Sequence, residues 1–340
     1  MSITDFSMRP GLSSAGAAKY SRASNRAKPD FEVQLLTEIE QRVVSALQVD
    51  GRAGPGRIAE VLDLSPRTVT RVIARLKADG RLSVVCVPNP AHGLRGALLL
   101  RVKVLRGRTS VIADALAKRD DVLFVDILAG GEEISAVALG GLDGRLVHDA
   151  LPSTSAVTEL RAHSILHVFS DATRWRTGLL TADEVAALTP PPPGEDVPLD
   201  ELDRRLLNRL AADARLGPGD LVAEAPESTV RRRLDRLTAA GRLRTYANID
   251  VRALGLEVDA NVWMTVPPGR LDDVGRALAS HPMVHGTLAT TGVTNLMAAV
   301  WCRDLSDLYA FVTSLDVPSA EVTVVAGAVK RGGRPGSQKI

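Results

Sequence analysis

A long internal repeat constrains the fold of this chain more than any other feature. Leu36–Ile58 matches Leu199–Leu221 with 9 identities in 23 positions, and Ser65–Leu82 matches Pro226–Leu243 with 9 identities in 18. The offset falls from 163 to 161 between the two blocks, so the second copy is two residues shorter at that point. A repeat of this length indicates duplication of a whole structural unit. A chain of 340 residues has room for two or more domains.

The first copy of the repeat has the pattern of three short helices. Apolar residues recur at helical spacing in its first part, at Ile39, Val43, Val44 and Leu47. The glycine-rich stretch Gly51–Gly56 ends that helix, and a short second helix follows. Ser65 then suits the cap of a third helix, with Pro66 at the first helical position. The tight turn before the third helix predicts a helix-turn-helix, and Leu82–Val87 reads as a wing or exit strand.

The third helix of each copy carries basic and hydroxyl side chains on its predicted outer face. A recognition helix needs one face that packs on the protein and another that presents donors to phosphates and base edges. The candidate DNA-binding residues are Arg67, Thr68, Thr70, Arg71 and Arg75 in the first copy and Ser228, Thr229, Arg231, Arg232 and Arg236 in the second. The alternative is the solvated face of an ordinary amphipathic helix. In the second copy Pro226 replaces the capping Ser65, and the shorter turn could tilt the helix.

A pattern of strands and helices in the order β-α-β-β-α-β follows each copy. In the first half the predicted elements are 96–105, 109–120, 122–129, 134–140, 144–151 and 157–169. In the second half they are 260–266, 270–281, 284–290, 296–302, 305–315 and 320–330. This order is the ferredoxin-like split motif. The predicted fold class is α+β, with two winged-helix/helix-turn-helix domains that are each followed by a ferredoxin-like domain.

The domain boundaries follow from the repeat and from changes in composition. We predict a disordered basic arm at 1–30, a first helix-turn-helix domain at 31–90 and a first ferredoxin-like domain at 91–170. A linker at 171–198, a second helix-turn-helix domain at 199–250, a second ferredoxin-like domain at 251–331 and a tail at 332–340 complete the chain. The run Pro190–Pro193 favours a semi-rigid spacer within the linker. Thr181–Leu188 could form a short capped helix before it.

Two sequence motifs carry a resemblance to a known family. Both copies begin with L-x-E-[IL]-[DE]-x-R, and both third helices read T-V-x-R-x-[IL]-x-R-L-x-x-x-G-R-L. This pattern resembles the helix-turn-helix of the Lrp/AsnC (leucine-responsive regulatory protein) family. The resemblance implies a transcriptional regulator that binds double-stranded DNA and forms homodimers or higher homo-oligomers. It also implies α+β domains that pair through their sheets and bind amino acids or similar small effectors at the interfaces between those domains.

The same resemblance indicates where an effector would bind. In the family, the loop between the second and third strands of the α+β domain typically reads T-G-D-[YF]-D. The second copy has Thr291-Gly292-Val293-Thr294-Asn295, which keeps Thr-Gly and loses both acids, and the first has Gly130-Gly131-Glu132-Glu133. The candidate effector-binding residues are therefore Thr291, Gly292, Thr294, Asn295 and Gly131. Gly292 could equally be a turn glycine between two strands.

Composition narrows the other classes of function. The net charge is only +2, so any basic surface must be local. Two widely separated cysteines, Cys86 and Cys302, argue against a disulfide framework, and no apolar run is long enough to cross a membrane, so a cytoplasmic location is expected. The histidine pairs His163/His167 and His281/His285 lack the cysteines or acids that would complete a metal site. We expect no metal, no cofactor and no catalytic residue.

The rival to a regulator is an enzyme. Some proteins that resemble this family are decarboxylases of modified tetrapyrroles such as siroheme and no longer bind DNA. They would need His and Arg side chains converging in the α+β domains, and His285 is the candidate here. Within a duplicated chain the two halves could pair with each other, or two chains could pair like half with like half. Because the two helix-turn-helix units differ, we expect an asymmetric DNA site.

Overall fold

The first copy of the repeat folds as three helices and a strand. The computed structural model describes residues 34–87, 97–139, 144–331 and 334–335, so the predicted arm at 1–30 and most of the tail lie outside the described residues. The elements are α1 (Glu38–Val49), α2 (Pro55–Leu62), α3 (Pro66–Ala78) and β1 (Leu82–Val87). Ser65 caps α3, since its Oγ accepts a hydrogen bond from the Thr68 amide at 3.0 Å. The tight turn before α3 places Asp63 in the left-handed region, at φ 53°.

The first α+β half has the predicted order of elements. It comprises β2 (Leu98–Val104), α4 (Thr109–Ala117), β3 (Val122–Leu128), β4 (Glu133–Ala138) and β5 (Val157–Ser170). The short helix predicted at 144–151 is a single π-helical turn, Leu146–Ala150. It buries Leu146 against the same core as α4.

The segment 171–198, predicted as a linker, packs on the first three-helix unit. It contains α5 (Ala182–Leu188), which starts at the predicted capping residue Thr181. Glu184 of this helix pairs with Arg42 of α1, and the Thr177 hydroxyl contacts Ser45. Trp175 is buried, with its indole N–H donating to the Pro282 carbonyl at 2.8 Å. Residues 175–188 of the predicted linker are therefore part of the folded structure, and the predicted spacer Pro190–Pro193 follows them as an exposed stretch.

The second copy of the repeat departs from the first at its middle helix. It contains α6 (Glu201–Ala212), a 3₁₀ turn at Pro218–Leu221, α7 (Glu227–Ala239) and β6 (Arg244–Ile249). The two missing residues fall just after the 3₁₀ turn, where the first copy completes α2. Pro226 gives α7 no side-chain cap. The prediction of three helices in the second copy is therefore wrong, because it contains two α-helices and one short 3₁₀ turn.

The second α+β half again alternates strands and helices in the predicted order. It comprises β7 (Val258–Thr265), α8 (Leu271–Ala279), β8 (Val284–Thr290), β9 (Leu296–Cys302), α9 (Leu305–Thr313) and β10 (Ser319–Arg331). A two-residue strand, β11 (Arg334–Pro335), pairs with the end of β10. The strand order β8-β9-β7-β10 has the same form as β3-β4-β2-β5 in the first half.

The two α+β halves share one closed ring of strands. The first part of β5 pairs with β2 and its last part with β8, while β10 pairs first with β7 and then with β3. Every strand of the ring thus has two neighbours, and β5 and β10 each pair with one neighbour along the first part of their length and with the other along the last part. The two halves of one chain therefore pair with each other, which is one of the two alternatives that the sequence left open. Strands β1 and β6 also pair, antiparallel, from Leu82 opposite Ile249 to Val87 opposite Arg244; we call this pair the β1–β6 ribbon.

Apolar side chains form a core on both faces of each sheet half. One core lies between the first half and α4, and another between the second half, α8 and α9. A third lies where the inner faces of the two halves meet, and contains Ala97, Leu99, Val137, Ile165, Trp263, Leu288 and Met297. Successive strand residues point to opposite faces, so Leu98 and Leu100 enter the first core while Leu99 enters the third. We call the space between these inner faces the inter-sheet space.

Candidate functional site

Helix α3 has an exposed basic face, and its opposite, apolar face packs on the domain. Val69 and Leu76 are fully buried, and Val72 and Ile73 are nearly so, which fixes the helix on the domain. On the other side Arg67, Thr70 and Arg71 are exposed, and Thr68 is half-buried beside the capping Ser65. In the described part of the chain neither Arg67 nor Arg71 has an ion-pair partner. These two guanidinium groups are free to bind an anionic ligand.

Arg75, also predicted to face DNA, is held by a carboxylate of its own domain. Its guanidinium pairs with Glu40 of α1, whose side chain is almost fully buried. The equivalent pair in the second copy joins Arg236 of α7 to Asp203 of α6, which is completely buried. The repeat preserves both members of this pair. Arg75 and Arg236 therefore connect the first and third helices of their units.

The second copy has fewer free cations on its third helix than its sequence suggests. Arg231 pairs with Glu227 at 2.8 Å, and Arg233 pairs with Asp200 at 2.6 Å. Ser228 and Arg232 are exposed, and Thr229 is half-buried. Across the residues that the structure describes, Arg232 has no ion-pair partner. It occupies the position in the repeat that corresponds to Arg71.

The predicted effector loop of the second half is bonded to the first half. Gly292 has φ 103°, and a Cβ there would lie 2.4 Å from Nδ1 of His163 on β5. The same Nδ1 lies 2.8 Å from the Thr291 carbonyl oxygen. The Thr291 hydroxyl accepts a hydrogen bond from the Ser164 amide at 3.0 Å. His163 therefore fills the space that the absent side chain of Gly292 leaves.

The remaining predicted effector residues also form hydrogen bonds with other residues of the protein. The Asn295 side chain accepts from the Val266 amide at 2.9 Å and donates to the Val266 carbonyl at 2.8 Å. The Thr294 carbonyl accepts from the Thr290 hydroxyl at 3.2 Å. Gly131 lies in the β3–β4 turn of the other half, where its carbonyl accepts from Thr109. The structure thus places Gly131 in a different hairpin from Thr291–Asn295.

A cavity of about 160 Å³ lies in the inter-sheet space. Its walls are mainly apolar, including Leu99, Ile165 and Met297, and none of the predicted effector residues lines it. The sequence singled out His285 of its lining as a candidate but did not predict the cavity. The signal for the cavity was the presence of Asp126 in the apolar strand VLFVDIL and of Asp259 and Asn261 at inward positions of β7.

Charged side chains form one end of this cavity. Arg331 bridges two carboxylates, with 2.6 Å to Asp126 Oδ1 and 2.6 Å to Asp259 Oδ2. His285 lies with Nε2 at 3.5 Å from Asp259 Oδ1, and its ring stacks on Trp301 at 3.7 Å between centroids. The His and Arg groups that an enzyme would need therefore do converge here.

Burial and the charge of Arg331 together set the protonation of these groups. Burial raises the pKa of Asp126 to about 6, although Arg331 acts in the opposite direction. For Asp259 burial also acts to raise the pKa, but the guanidinium charge of Arg331 holds it below its ordinary value. Burial lowers the pKa of His285 despite the neighbouring carboxylate. At neutral pH the wall of the cavity thus carries the Asp126 carboxylate, the Arg331 guanidinium and a neutral His285 imidazole, and the Asp259 carboxylate lies behind them.

A second and larger concavity lies beside the end of β5. It measures about 800 Å³ and is lined by Arg52, Arg174, Arg176, Arg244 and His167. The guanidinium of Arg176 donates to the carbonyls of Thr173 at 2.6 Å and Trp175 at 2.9 Å. Arg244 pairs with Asp171 at 2.7 Å. We call this concavity the basic cleft.

Within the described ranges, no helix is both long enough and apolar enough to cross a membrane. No group of three or more His, Cys, Asp or Glu side chains in those ranges could hold a metal ion.

Comparisons with known proteins agree with this geometry. A model of the winged helix-turn-helix DNA-binding family matches residues 36–82, and a model of the Lrp/AsnC ligand binding domain matches residues 259–335. An uncharacterised HTH-type transcriptional regulator of Pyrococcus horikoshii is 30% identical over 149 residues, which cover 42% of this chain and 94% of the relative. The HTH-type transcriptional regulator AldR of Mycobacterium tuberculosis is 32% identical over 121 residues, covering 34% of this chain and 67% of AldR.

One solved structure resembles the chain over most of its length. The siroheme decarboxylase NirDL superposes with a TM-score of 0.57, covering 87% of this chain and 93% of NirDL. The sequence identity is 13%, so this likeness concerns the fold alone. The α3 surface, the two matching family models and the relative from P. horikoshii all point to one family. The chain belongs to the Lrp/AsnC family of helix-turn-helix transcriptional regulators.

Proposed function

We propose that this chain regulates transcription by binding double-stranded DNA through α3, with Arg67 and Arg71 as the principal contacts. The observation that carries the proposal is that both guanidinium groups are exposed, and have no ion-pair partner among the described residues, on a helix whose opposite face is buried. Arginine on such a helix can bind guanine in the major groove or a phosphate. Thr68 and Thr70 lie beside them and suit phosphate contacts.

The test is a binding measurement on DNA fragments selected from the genome by the intact protein. Arg71→Ala is expected to weaken binding by about 1–3 kcal/mol if the side chain reads a base. Arg145→Ala is the matched control, because it removes the same charge from an exposed position in the π-helical segment. Equal affinity of the wild type and the Arg71→Ala variant for every selected fragment would contradict the assignment.

The second copy is proposed to be a degenerate helix-turn-helix that arose by tandem duplication. The repeat itself, the pseudo-equivalent pairs Glu40–Arg75 and Asp203–Arg236, and the similar strand orders of the two halves support duplication. The 3₁₀ turn in place of a second helix and the missing cap of α7 support degeneracy. Arg232→Ala should therefore reduce DNA affinity less than Arg71→Ala does.

One chain is proposed to supply the sheet pairing that two chains would otherwise form. The closed ring joins both α+β halves through β5 and β10 within a single chain. Association into a homodimer or a larger homo-oligomer would then use surfaces outside this ring. Light scattering on the purified chain measures the oligomeric state, and a monomer that binds DNA at full affinity would show that further association is unnecessary.

We also propose that an amino-acid-like effector binds at Thr291, Gly292, Thr294 and Asn295 or at Gly131. A ligand at the second loop would have to displace the bonds to His163 and Val266. Calorimetry with a pool of amino acids tests this directly. Heat that persists in the Asn295→Ala variant would place the effector elsewhere.

A tetrapyrrole-acting enzyme is the second candidate, and the basic cleft is the observation that favours it. Four arginines and His167 line a space of about 800 Å³ in a fold similar to that of a siroheme decarboxylase. The inter-sheet cavity, which holds His285, is far smaller at about 160 Å³. An absorbance titration with a tetrapyrrole, run beside a gel shift with the selected DNA, separates the two functions.

A further inference from the structure

Unpaired polar groups distinguish the inter-sheet cavity from an ordinary packing defect. Ser170 and Asn261 line it, and each is more than nine-tenths buried. Among the residues that the structure describes, the Ser170 Oγ and the Asn261 Nδ2 have no hydrogen-bond partner. A buried polar atom left unpaired costs about 1–3 kcal/mol, so native proteins rarely keep two of them beside one cavity without a use. The two groups are suited to bind a ligand that carries polar atoms.

The size and walls of the cavity define the bulk of that ligand. The volume of about 160 Å³ is close to that of an apolar cavity that holds benzene, about 150 Å³. Leu99, Phe124, Ile165 and Met297 contribute apolar surface. A ligand must therefore be small and mostly hydrocarbon.

The charged side chains at one end of the cavity determine which polar group the ligand carries there. Asp126 and Asp259 share the single guanidinium of Arg331, so this end of the cavity has an excess of negative charge. The other charged pair on the wall, Asp171 with Arg244, balances itself at 2.7 Å. A cationic group is favoured here and a carboxylate is disfavoured. Asn261 Nδ2 additionally requires an acceptor, such as a hydroxyl oxygen.

We propose that the inter-sheet cavity binds a small apolar amine that also carries a hydroxyl group. The ammonium group lies against Asp126, the hydroxyl group bonds Asn261 and Ser170, and the hydrocarbon lies among Leu99, Ile165 and Met297. This site is separate from the α3 surface and from the Thr291–Asn295 loop. Its test uses the protein without DNA, so it can fail while the proposed regulator function stands, and the reverse also holds.

The cavity also touches the strands that follow the helical units. Val87 and Tyr246 of the β1–β6 ribbon form part of its wall. The ribbon in turn packs tightly on the first three-helix unit, because a Cβ at Gly51 would lie 2.7 Å from Val84 Cγ1 and 2.7 Å from Thr245 Oγ1. A ligand in the cavity therefore contacts the element that carries α3. Hydrogen exchange of the ribbon amides should slow when the cavity is occupied.

Calorimetric titration of the full chain with L-leucinol tests the proposal. Leucinol carries an ammonium and a hydroxyl group on a branched aliphatic chain. 4-Methyl-1-pentanol lacks the amine, and 4-methylpentanoate lacks the amine and has a carboxylate in place of the hydroxymethyl group. We expect saturable binding of leucinol, binding at least tenfold weaker for 4-methyl-1-pentanol, and none for 4-methylpentanoate. Absence of saturable leucinol binding, or equal binding of the anion, would overturn the proposal.

Variants of Asp126 and Ala299 test where the ligand binds, and the second variant keeps the test valid if the first does not fold. Asp126→Asn should weaken leucinol binding at least tenfold. Ala299→Leu adds a side chain to the cavity wall and should abolish binding, while Ala115→Leu makes the same change at an exposed position of α4 and should not. Circular dichroism confirms that each variant is folded, and Ala299→Leu remains decisive where Asp126→Asn does not fold. Full binding by folded Ala299→Leu, or ribbon exchange unaffected by leucinol, would contradict the assigned location.

Discussion

At the scale of single residues, arginines on the same helix face have different roles. Arg71 and Arg75 are one turn apart on α3, and both read as DNA contacts in the sequence. Within the described ranges Arg71 has no ion-pair partner, whereas Arg75 pairs with the buried Glu40. The distinction depends on how α1 crosses α3, which helical periodicity does not specify. The repeat held a clue, because an acid and an arginine recur together at the positions of Asp203 and Arg236.

Replacing Arg75 by alanine is expected to lower stability more than DNA affinity. The change leaves the carboxylate of Glu40 buried without its partner, which should reduce the free energy of unfolding by about 1–3 kcal/mol. Urea unfolding measures this, and Arg71→Ala is the matched control that should leave it unchanged. Glu40→Gln combined with Arg75→Ala should restore part of the loss. An Arg75→Ala protein of full stability that has lost DNA affinity would return Arg75 to the DNA-binding surface.

The two thiols are expected to be unreactive in the folded protein at ordinary pH. Burial raises the pKa of Cys86 to about 11 and that of Cys302 to about 11. The thiolate is the reactive form, so at pH 8 only about one thiol in 10³ is ionised in the folded state. Iodoacetamide should therefore label both slowly at pH 8, and faster as the pH rises towards 11 or when urea is added. Mass spectrometry that finds native labelling as fast as in urea would contradict this.

At the scale of elements, most of the helices and strands could be predicted and the turns between them could not. Apolar periodicity and capping residues located α1, α3, α5 and the strands of both α+β halves. The loss of the middle helix in the second copy could be placed by the two-residue deletion, but its outcome, a 3₁₀ turn, depends on local packing. The bonding of the β8–β9 turn to His163 depends on contact between the halves. A resemblance to an effector loop carries no information about that contact.

The β8–β9 turn is expected to tolerate no side chain at Gly292. Gly292→Ala imposes a left-handed φ on alanine and also brings its Cβ against His163, and we expect a loss of about 1–3 kcal/mol in unfolding free energy. Gly131→Ala is the matched control, since its φ is 73° and nothing lies within 4 Å of the new Cβ. The difference between the two variants, measured by thermal unfolding, reports the clash. Equal losses for both, with no reduction when His163→Ala is added to Gly292→Ala, would show that His163 does not restrict this turn.

At the scale of the whole molecule, the two similar halves of the sequence form one structure in which they share two strands. The sequence predicted both α+β halves and left open whether they pair with each other. The answer lies in β5 and β10, which are 14 and 13 residues long and each serve both halves. Strand periodicity predicted β5 as one strand but does not show that its last part pairs with β8. The inter-sheet cavity exists only because the inner faces meet, so no local pattern predicts it.

Pairing of the halves also makes the two ends of the inter-sheet space different. Arg101 forms two hydrogen bonds with Glu321, at 2.8 and 2.7 Å, and lies over Trp263 at 4.8 Å from the ring centroid. These large side chains fill the space around Trp263, further along β7. Around Asp259 and Asn261 the side chains enclose the cavity instead. The two halves of the chain therefore differ both in their helical units and between their sheets.

We propose that the first three-helix unit binds DNA and that the corresponding unit of the second copy contributes less to binding. Footprinting of the intact protein on genomic fragments that it selects is the most direct measurement. We predict an asymmetric site in which one strongly protected segment disappears with Arg71→Ala and persists with Arg232→Ala. Two identical half-sites protected to the same degree, or a footprint unchanged by Arg71→Ala, would contradict the account.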